Sequence, residues 1–248
     1  MIEYFNIPPS MMINQPVTKK LFTEKLSMSS VEKRLLKNEI LSIVMQALFQ
    51  PRNTGLEVFE NEEHLYNQLL IGEIEIKNKS KSKAIATMIQ KAFPAHLFLI
   101  LHCEQEYCLN WCNKKINQVE KDKRIVEEQQ YTRWFNPYND NLITQKWLKS
   151  LDTTKLKCNT IKDLFNQLSL KILSLSISDE AGELIYTDSE NIEEYQILLS
   201  KINDNKEEQK EISRKLKEES QFNEKIRLAK RLKEVQNLNK ELQLQLHK

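Results

Sequence analysis

The C-terminal part of the chain, residues 192–248, has the most regular pattern of apolar and polar positions. It contains no glycine or proline, and its apolar residues recur mostly in steps of three and four between charged and amide residues. These steps place them on one narrow stripe of a helix, as the seam of a coiled coil requires. The repeat is interrupted near residues 203–205. The pattern therefore predicts one long helix, or a helical hairpin that turns at those residues.

Such a stripe has to be buried, because an amphipathic helix gains most of its stability by packing its apolar face against another surface. The pattern therefore predicts docking to a protein partner or to a second copy of the chain. Six apolar residues are the predicted anchors of this contact: Phe222, Ile226, Leu232, Val235, Leu238 and Leu242.

Helical spacing also occurs earlier in the chain. Ser29 and Glu32 have the spacing of a capping box, and apolar residues then recur on one face over residues 30–49. Residues 82–93 repeat this spacing and end at a proline. Two helices are therefore predicted before residue 100.

Strand-like patterns separate these helices. Residues 69–77 alternate apolar and polar side chains, as half-buried strands do. Residues 97–101 are a continuous apolar run, typical of a strand buried on both faces, and we expect it to form a hairpin with residues 107–112. The sequence thus predicts an α/β domain with a mixed sheet over residues 1–178 and a helical coiled-coil extension over residues 190–248.

Charge and composition change this picture little. Lys and Arg total 37 against 35 Asp and Glu, so the formal net charge of +2 gives no argument for a nucleic-acid or membrane partner. There is no apolar run of about eighteen residues and no signal peptide, so we expect a cytoplasmic protein with four reduced cysteines. The three glycines are far apart, which argues against a phosphate-binding loop. No cofactor is expected.

One predicted strand carries a candidate metal site. Glu75 and Lys77 form the E-x-K half of a metal-dependent nuclease strand, and Glu57 or Glu60 on the preceding predicted strand would supply the second carboxylate. Two carboxylates would share Mg²⁺, and the lysine would orient the attacking water. The alternative is a solvated strand face with cross-strand ion pairs, because E-x-K occurs by chance in a chain so rich in Glu and Lys.

Histidine and cysteine residues cluster around residues 102–112. The group comprises His102, Cys103, Cys108 and Cys112. Zinc sites usually take their ligands in close pairs from tight turns, and this spacing lacks such pairs. Buried cysteines that pack as small apolar side chains are the preferred interpretation, with no metal bound.

The C-terminal stretch also carries a run of basic residues: Lys225, Arg227, Lys230, Arg231 and Lys233. A nucleic-acid-binding module that used this run would lose affinity steeply as salt concentration rises. Solubility and ion pairing on the helix surface are the alternative, and we prefer them.

The order of several short motifs resembles a known family. They are Asn-Ile-Pro at 6–8, Lys-Lys-Leu-Phe at 19–22, Ala-Phe-Pro at 92–94, Thr-Arg-Trp at 132–134 and Glu-Ser-Gln-Phe-Asn-Glu-Lys at 219–225. The chain is similar to an uncharacterised bacterial domain-of-unknown-function family, encoded in anti-phage defence islands beside helicases and DNA methyltransferases of restriction-like systems. This resemblance implies an accessory or adaptor role and supplies no catalytic residues.

The preferred hypothesis is a non-enzymatic interaction subunit of a bacterial antiviral, restriction-modification-associated system that docks through its C-terminal coiled coil. A helicase or methyltransferase subunit, or a second copy of the chain, would be the partner. The Mg²⁺-dependent nuclease and the nucleic-acid-binding module remain as alternatives.

Overall fold

The computed structural model describes residues 1–25, 28–120, 123–185 and 192–247. The chain divides into two compact units, Met1–Ile172 and Leu173–Lys248. The first unit holds the β-strands and the second is helical, which confirms a mixed α/β fold with a helical C-terminal part. Across the described ranges, no helix is both long and apolar enough to cross a membrane.

The first unit is built on one mixed sheet. The strands among its described residues are β1 (Met12–Pro16), β2 (Ile40–Phe49), β3 (Phe59–Glu60), β4 (Leu65–Tyr66), β5 (Leu69–Ile76), β6 (His96–Cys103), β7 (Glu106–Ile116) and β8 (Arg124–Tyr131). Six of them lie in the order β1-β2-β5-β6-β7-β8, and β3 pairs with β4. β5 and β6 run parallel, whereas the other paired strands of this sheet are antiparallel. The predicted strands over 69–77, 97–101 and 107–112 are confirmed.

Eight α-helices occur in the described part of the chain. They are α1 (Lys19–Lys25), α2 (Ser30–Asn38), α3 (Pro51–Thr54), α4 (Ser82–Ala92), α5 (Leu142–Ser150), α6 (Ile161–Ala181), α7 (Ile192–Glu218) and α8 (Phe222–Gln245). α4 lies where residues 82–93 were predicted to be helical, and it connects the two parallel strands. A helical crossover is the usual way to join parallel neighbours.

The predicted helix over residues 30–49 is wrong beyond Asn38. The capping box does start α2: the Glu32 backbone N–H donates to Ser29 Oγ, and the Ser29 backbone N–H donates to the Glu32 carboxylate. β2 then begins at Ile40, and alternate residues along most of its length are buried. An apolar-rich stretch fits both a helical and a two-residue period, so pairing with β1 and β5 decides between them.

Each face of the sheet is covered. Alternate residues along a strand point to opposite faces, so Leu97 and Leu99 belong to the core under α2 and α4. Phe98 lies on the other face, where its ring is 5.2 Å from that of Phe165 on α6. Parallel strands covered on both faces need apolar runs, and this explains the continuous apolar sequence of β6.

Lys114 on β7 is fully buried. Its Nζ donates hydrogen bonds to the carbonyl oxygens of Gln90, Phe93 and Ala95 at 2.9, 2.7 and 2.8 Å. These carbonyls lie at the end of α4 and just beyond it, where helix oxygens have no partner within the helix. Burial lowers the pKa of Lys114 to about 8.

His96 is another enclosed ionisable group of this unit, with 1% of its surface exposed. Its ring stacks on Tyr66 with 3.9 Å between centroids, and its edge meets Phe165 at 5.0 Å. Among the described residues neither ring nitrogen has a hydrogen-bond partner. Burial is the main cause that lowers the pKa of His96 to about 3, so the ring is neutral near pH 7.

The second unit contains a helical hairpin, but its turn is not where the pattern near residues 203–205 predicts it. Those residues lie inside α7, and the chain turns at residues 219–221. There the Glu219 carboxylate accepts hydrogen bonds from the backbone N–H groups of Ser220 and Gln221 at 2.7 and 2.8 Å. Such local bonds compete with helix formation. Residues 186–191, which include part of the segment between the two predicted domains, lie outside the described residues.

Candidate interaction surface on the C-terminal hairpin

α7 and α8 pack against each other as antiparallel helices. Arg231 on α8 pairs with Glu208 on α7 at 2.8 Å, and the Asn205 amide donates to the Asn239 side chain at 3.5 Å. Ile212 on α7 and Val235 on α8 are buried, at 7% and 1% exposure. The packing of α7 against α8 therefore buries part of the apolar stripe.

The six predicted anchors do not share one environment. Val235 and Leu242 are buried, and Leu232 is partly buried. Phe222, Ile226 and Leu238 are 75%, 54% and 48% exposed.

The helical repeat explains this division. Ile226 and Val235 are nine residues apart, which is about two and a half turns, so they lie on opposite sides of α8. The structure therefore places three anchors in or beside the hairpin seam and leaves the other three facing outward.

A second apolar row runs along the outside of α8. Leu244, which is not among the six predicted anchors, is 68% exposed. It lies about five full turns beyond Ile226, on the same side of the helix. Phe222, one turn before Ile226, completes what we call the outer row: Phe222, Ile226 and Leu244. A search of the α8 sequence for a second set of apolar residues, half a turn around the helix from the first, would have identified the outer row.

Lysines occupy the same side of α8 within the outer row. Lys233 and Lys240 lie about two and four turns beyond Ile226 and are exposed. In the described structure neither lysine forms an ion pair with a carboxylate. The outer row is therefore an apolar and basic surface.

The predicted basic run does not form a single face. Lys225, Arg227, Lys230, Arg231 and Lys233 are exposed, but the helical repeat spreads them around α8. Arg227 is paired with Glu224 at 2.6 Å and Arg231 with Glu208 at 2.8 Å, so two of the five cations are occupied. Arg227, Lys230 and Arg231 do line one pocket, but Glu234 lies beside them and two of the three already form ion pairs.

The candidate nuclease residues lie at different ends of the sheet. Glu57 is exposed and outside β3; its backbone bonds to Asn159 and Ile161, near the start of α6. Phe165, four residues further on, meets His96, which pairs with Leu69 at the beginning of β5.

Glu75 lies six residues along β5 from Leu69, which is about 20 Å in a strand. Its carboxylate accepts a hydrogen bond from Ser42 Oγ at 3.1 Å, and Lys77 is exposed beyond the strand end. Glu60 belongs to the two-stranded β3–β4 ribbon. Glu57 thus lies beside the start of α6 and Glu75 near the end of β5, and among the described residues no contact joins the two carboxylates.

The cysteines near β6 and β7 are free thiols, and Cys103, Cys108 and Cys112 are buried. Burial raises the pKa values of the Cys108 and Cys112 thiols to about 11. The ring of His102 stacks on Tyr107 at 4.4 Å. Within the described residues, no group of three or more His, Cys, Asp or Glu side chains is placed to hold a metal ion.

Comparison with known proteins identifies one family. A family model with the description "Domain of unknown function (DUF4391)" matches residues 5–238. The chain belongs to the DUF4391 family. No curated protein and no solved structure matches it. The DUF4391 match spans the sheet and most of the hairpin, and it includes Phe222 and Ile226 of the outer row but not Leu244.

Proposed function

We propose that this DUF4391 protein is a non-enzymatic interaction subunit that binds a protein partner through the outer row of α8. The observation that carries the proposal is the exposure of Phe222, Ile226 and Leu244 on one side of a helix whose other side is already packed. Phe222 and Ile226, one turn apart, form a contiguous apolar patch, and Leu244 lies about 27 Å further along the helix. Contiguous apolar patches mark binding sites more often than single side chains do.

The chemistry of the outer row indicates the kind of partner. The exposed parts of the three side chains add up to about two whole side chains, so burying them would contribute about 3–6 kcal/mol, at about 1.5–3 kcal/mol for each whole side chain. Association costs a comparable amount in lost translational and rotational freedom. Further contacts are therefore needed, and Lys233 and Lys240 can supply them. An amphipathic helix with apolar residues at both ends and carboxylates between them would match this face as a third helix in a coiled-coil arrangement.

The setting of this proposal comes from the resemblance described in the sequence analysis. It supports a role as an accessory subunit of an anti-phage, restriction-like system in the bacterial cytoplasm. The proposed partner is a helicase or methyltransferase subunit, which the resemblance implies to be encoded beside it. A second copy of the chain is the alternative partner for the outer row, and the experiment has to distinguish self-association from binding of a different protein.

The proposal is tested with two double variants of the full chain. Phe222→Asp/Ile226→Asp places charges in the outer row, whereas Ile197→Asp/Leu238→Asp changes two apolar residues of similar exposure elsewhere on the hairpin. Co-purification with the neighbouring helicase and methyltransferase subunits measures partner binding, and light scattering measures self-association. We expect only the outer-row variant to lose binding. Equal behaviour of both variants would refute the outer row as the interface.

A further inference from the structure

A groove between α7 and α8 is lined by positive charge. Its volume is about 510 Å³. Four cations line it from α7: Lys206, Lys210, Arg214 and Lys217. No carboxylate is among its lining residues, although α7 carries several Glu residues on its other sides. The groove is on a different side of α8 from the outer row.

The spacing of these cations makes the groove a linear array. Steps of four, four and three residues keep them near one side of α7, and each four-residue step rises about 6 Å along the helix. Successive positive charges at this interval suit a polymer with one negative charge per unit, such as the backbone of a nucleic acid strand.

Two of the four cations are available without breaking a contact. Lys206 is paired with Glu180, and Lys210 with Glu207. Arg214 and Lys217 are exposed and form no ion pair in the described structure. The Lys210–Glu207 pair is at the surface, where such pairs contribute only about 0–1 kcal/mol, so a ligand phosphate can replace Glu207. Glu180 is only 15% exposed, so Lys206 stays paired with it.

The other lining residues also suit a nucleic acid. Gln209, Ser213 and Gln236 place amide and hydroxyl groups along the groove. Such side chains commonly bond phosphate and sugar oxygens. Leu232, partly buried, adds an apolar surface that a base or sugar can cover.

From this arrangement we propose that the groove binds a single strand of nucleic acid through its phosphates, with Arg214 and Lys217 as the principal contacts. This site differs from the predicted basic run on α8, of which none of the five residues lines the groove. It is also independent of the outer row, so either site can fail without the other.

The test measures fluorescence anisotropy of a labelled twenty-nucleotide oligo(dT) with the full chain at several KCl concentrations. The groove variant is Arg214→Gln/Lys217→Gln. Its control is Lys201→Gln/Lys230→Gln, which removes two exposed cations of the same hairpin that do not line the groove. The two variants have equal net charge, so a general charge effect would weaken both equally.

We expect the groove variant to bind at least about tenfold more weakly than the wild type, and the control to change by about twofold or less. The slope of log affinity against log salt should fall in magnitude by about 1.4 in the groove variant, at about 0.7 per lost phosphate contact. A duplex of the same length should bind at least tenfold more weakly than the single strand, because its paired bases cannot cover Leu232.

Three outcomes would overturn the proposal. They are equal loss in the two variants, no oligo(dT) binding by the wild type at low salt, and tighter binding of labelled polyglutamate than of oligo(dT). The last outcome would assign the groove to an acidic protein segment instead. Circular dichroism spectra of both variants establish that the helices remain folded.

Discussion

Lys114 donates a hydrogen bond from its buried Nζ to the carbonyl oxygen of Phe93 at 2.7 Å. The same ammonium reaches Gln90 and Ala95, so one side chain of β7 fixes the end of α4 and the segment that leads into β6. Replacing it with an apolar residue would leave up to three buried carbonyl oxygens without a partner. Each would cost about 1–3 kcal/mol, partly offset because no charge is then buried.

We therefore expect Lys114→Met to lower the free energy of unfolding by about 3 kcal/mol, measured by urea denaturation. The neighbouring Lys115 is the control, since it is 40% exposed and pairs with Glu63 and Glu127 at the surface. Lys115→Met should change the free energy of unfolding by about 1 kcal/mol or less. Similar small losses in both variants would contradict the capping role of Lys114.

His96 gives the fold a defined dependence on acid. Its pKa is lowered to about 3 in the folded protein, against about 6.5 in the unfolded chain. Between these values the unfolded chain binds the proton and the folded protein does not. The part of the unfolding free energy that depends on a neutral His96 is therefore fully present above pH 6.5. It is lost as the pH falls toward 3, by up to about 5 kcal/mol.

The variant His96→Phe keeps a ring against Tyr66 and removes the titrating group. We expect the difference in unfolding free energy between wild type and variant to grow in favour of the variant as the pH is lowered from 7 to 4. Urea denaturation at several pH values measures this. Parallel pH profiles would show that His96 does not titrate as its burial requires.

Substitution by Asp should change the stability of the protein strongly on the buried side of α8 and little on its exposed side. Val235 is 1% exposed, so Val235→Asp would bury a carboxylate and should cost about 3 kcal/mol or more, with loss of helical signal on heating. Phe222 is 75% exposed, so Phe222→Asp should change stability by about 0.5 kcal/mol or less. Thermal circular dichroism of the two variants distinguishes them. Equal destabilisation would mean that the outer row is not free.

The four cysteine thiols differ in how accessible they are to solvent and reagents. Cys158 is partly exposed and lines a pocket of about 320 Å³ with Phe49 and Leu164, whereas the other three cysteines are buried. Burial is the main cause that raises the pKa of Cys158 to about 11, with the charge of Asp163 adding to it. We expect the native protein to react with a maleimide at one thiol, slowly at pH 7 and faster at pH 9. The unfolded chain should react at four.

Mass spectrometry after labelling counts the modified thiols. Cys158→Ser should leave the native protein unlabelled, because its remaining thiols are enclosed. Labelling of two or more thiols in the native wild type would contradict this enclosure.

The sequence predicted elements wherever one period was clear. The continuous apolar run from Leu97 to Leu101 in β6 is short, which favours a buried strand over a helix, and residues 82–93 keep helical spacing up to a proline. Residues 40–49 fit both periods, and backbone pairing with β1 and β5, distant in sequence, determines the outcome. Such long-range pairing leaves no local signal in the sequence.

The candidate sites were harder to predict for a related reason. Six apolar residues of α8 were assigned to one stripe, but three of them face away from α7. Nine residues separate Ile226 from Val235, which places the two on opposite sides of the helix. Similarly, Glu57 was expected on the strand that precedes Glu75. Its position near α6 follows from backbone bonds to Asn159 and Ile161, about a hundred residues later in the chain.

The Asn205–Asn239 contact determines how the two surfaces of the hairpin are aligned. Asn239 is 7% exposed, and sliding α8 by one turn along α7 would separate its amide from that of Asn205 and Arg231 from Glu208. These two contacts therefore favour one register between the helices. A ligand in the groove and a protein on the outer row would therefore be held at a fixed distance from each other along the hairpin.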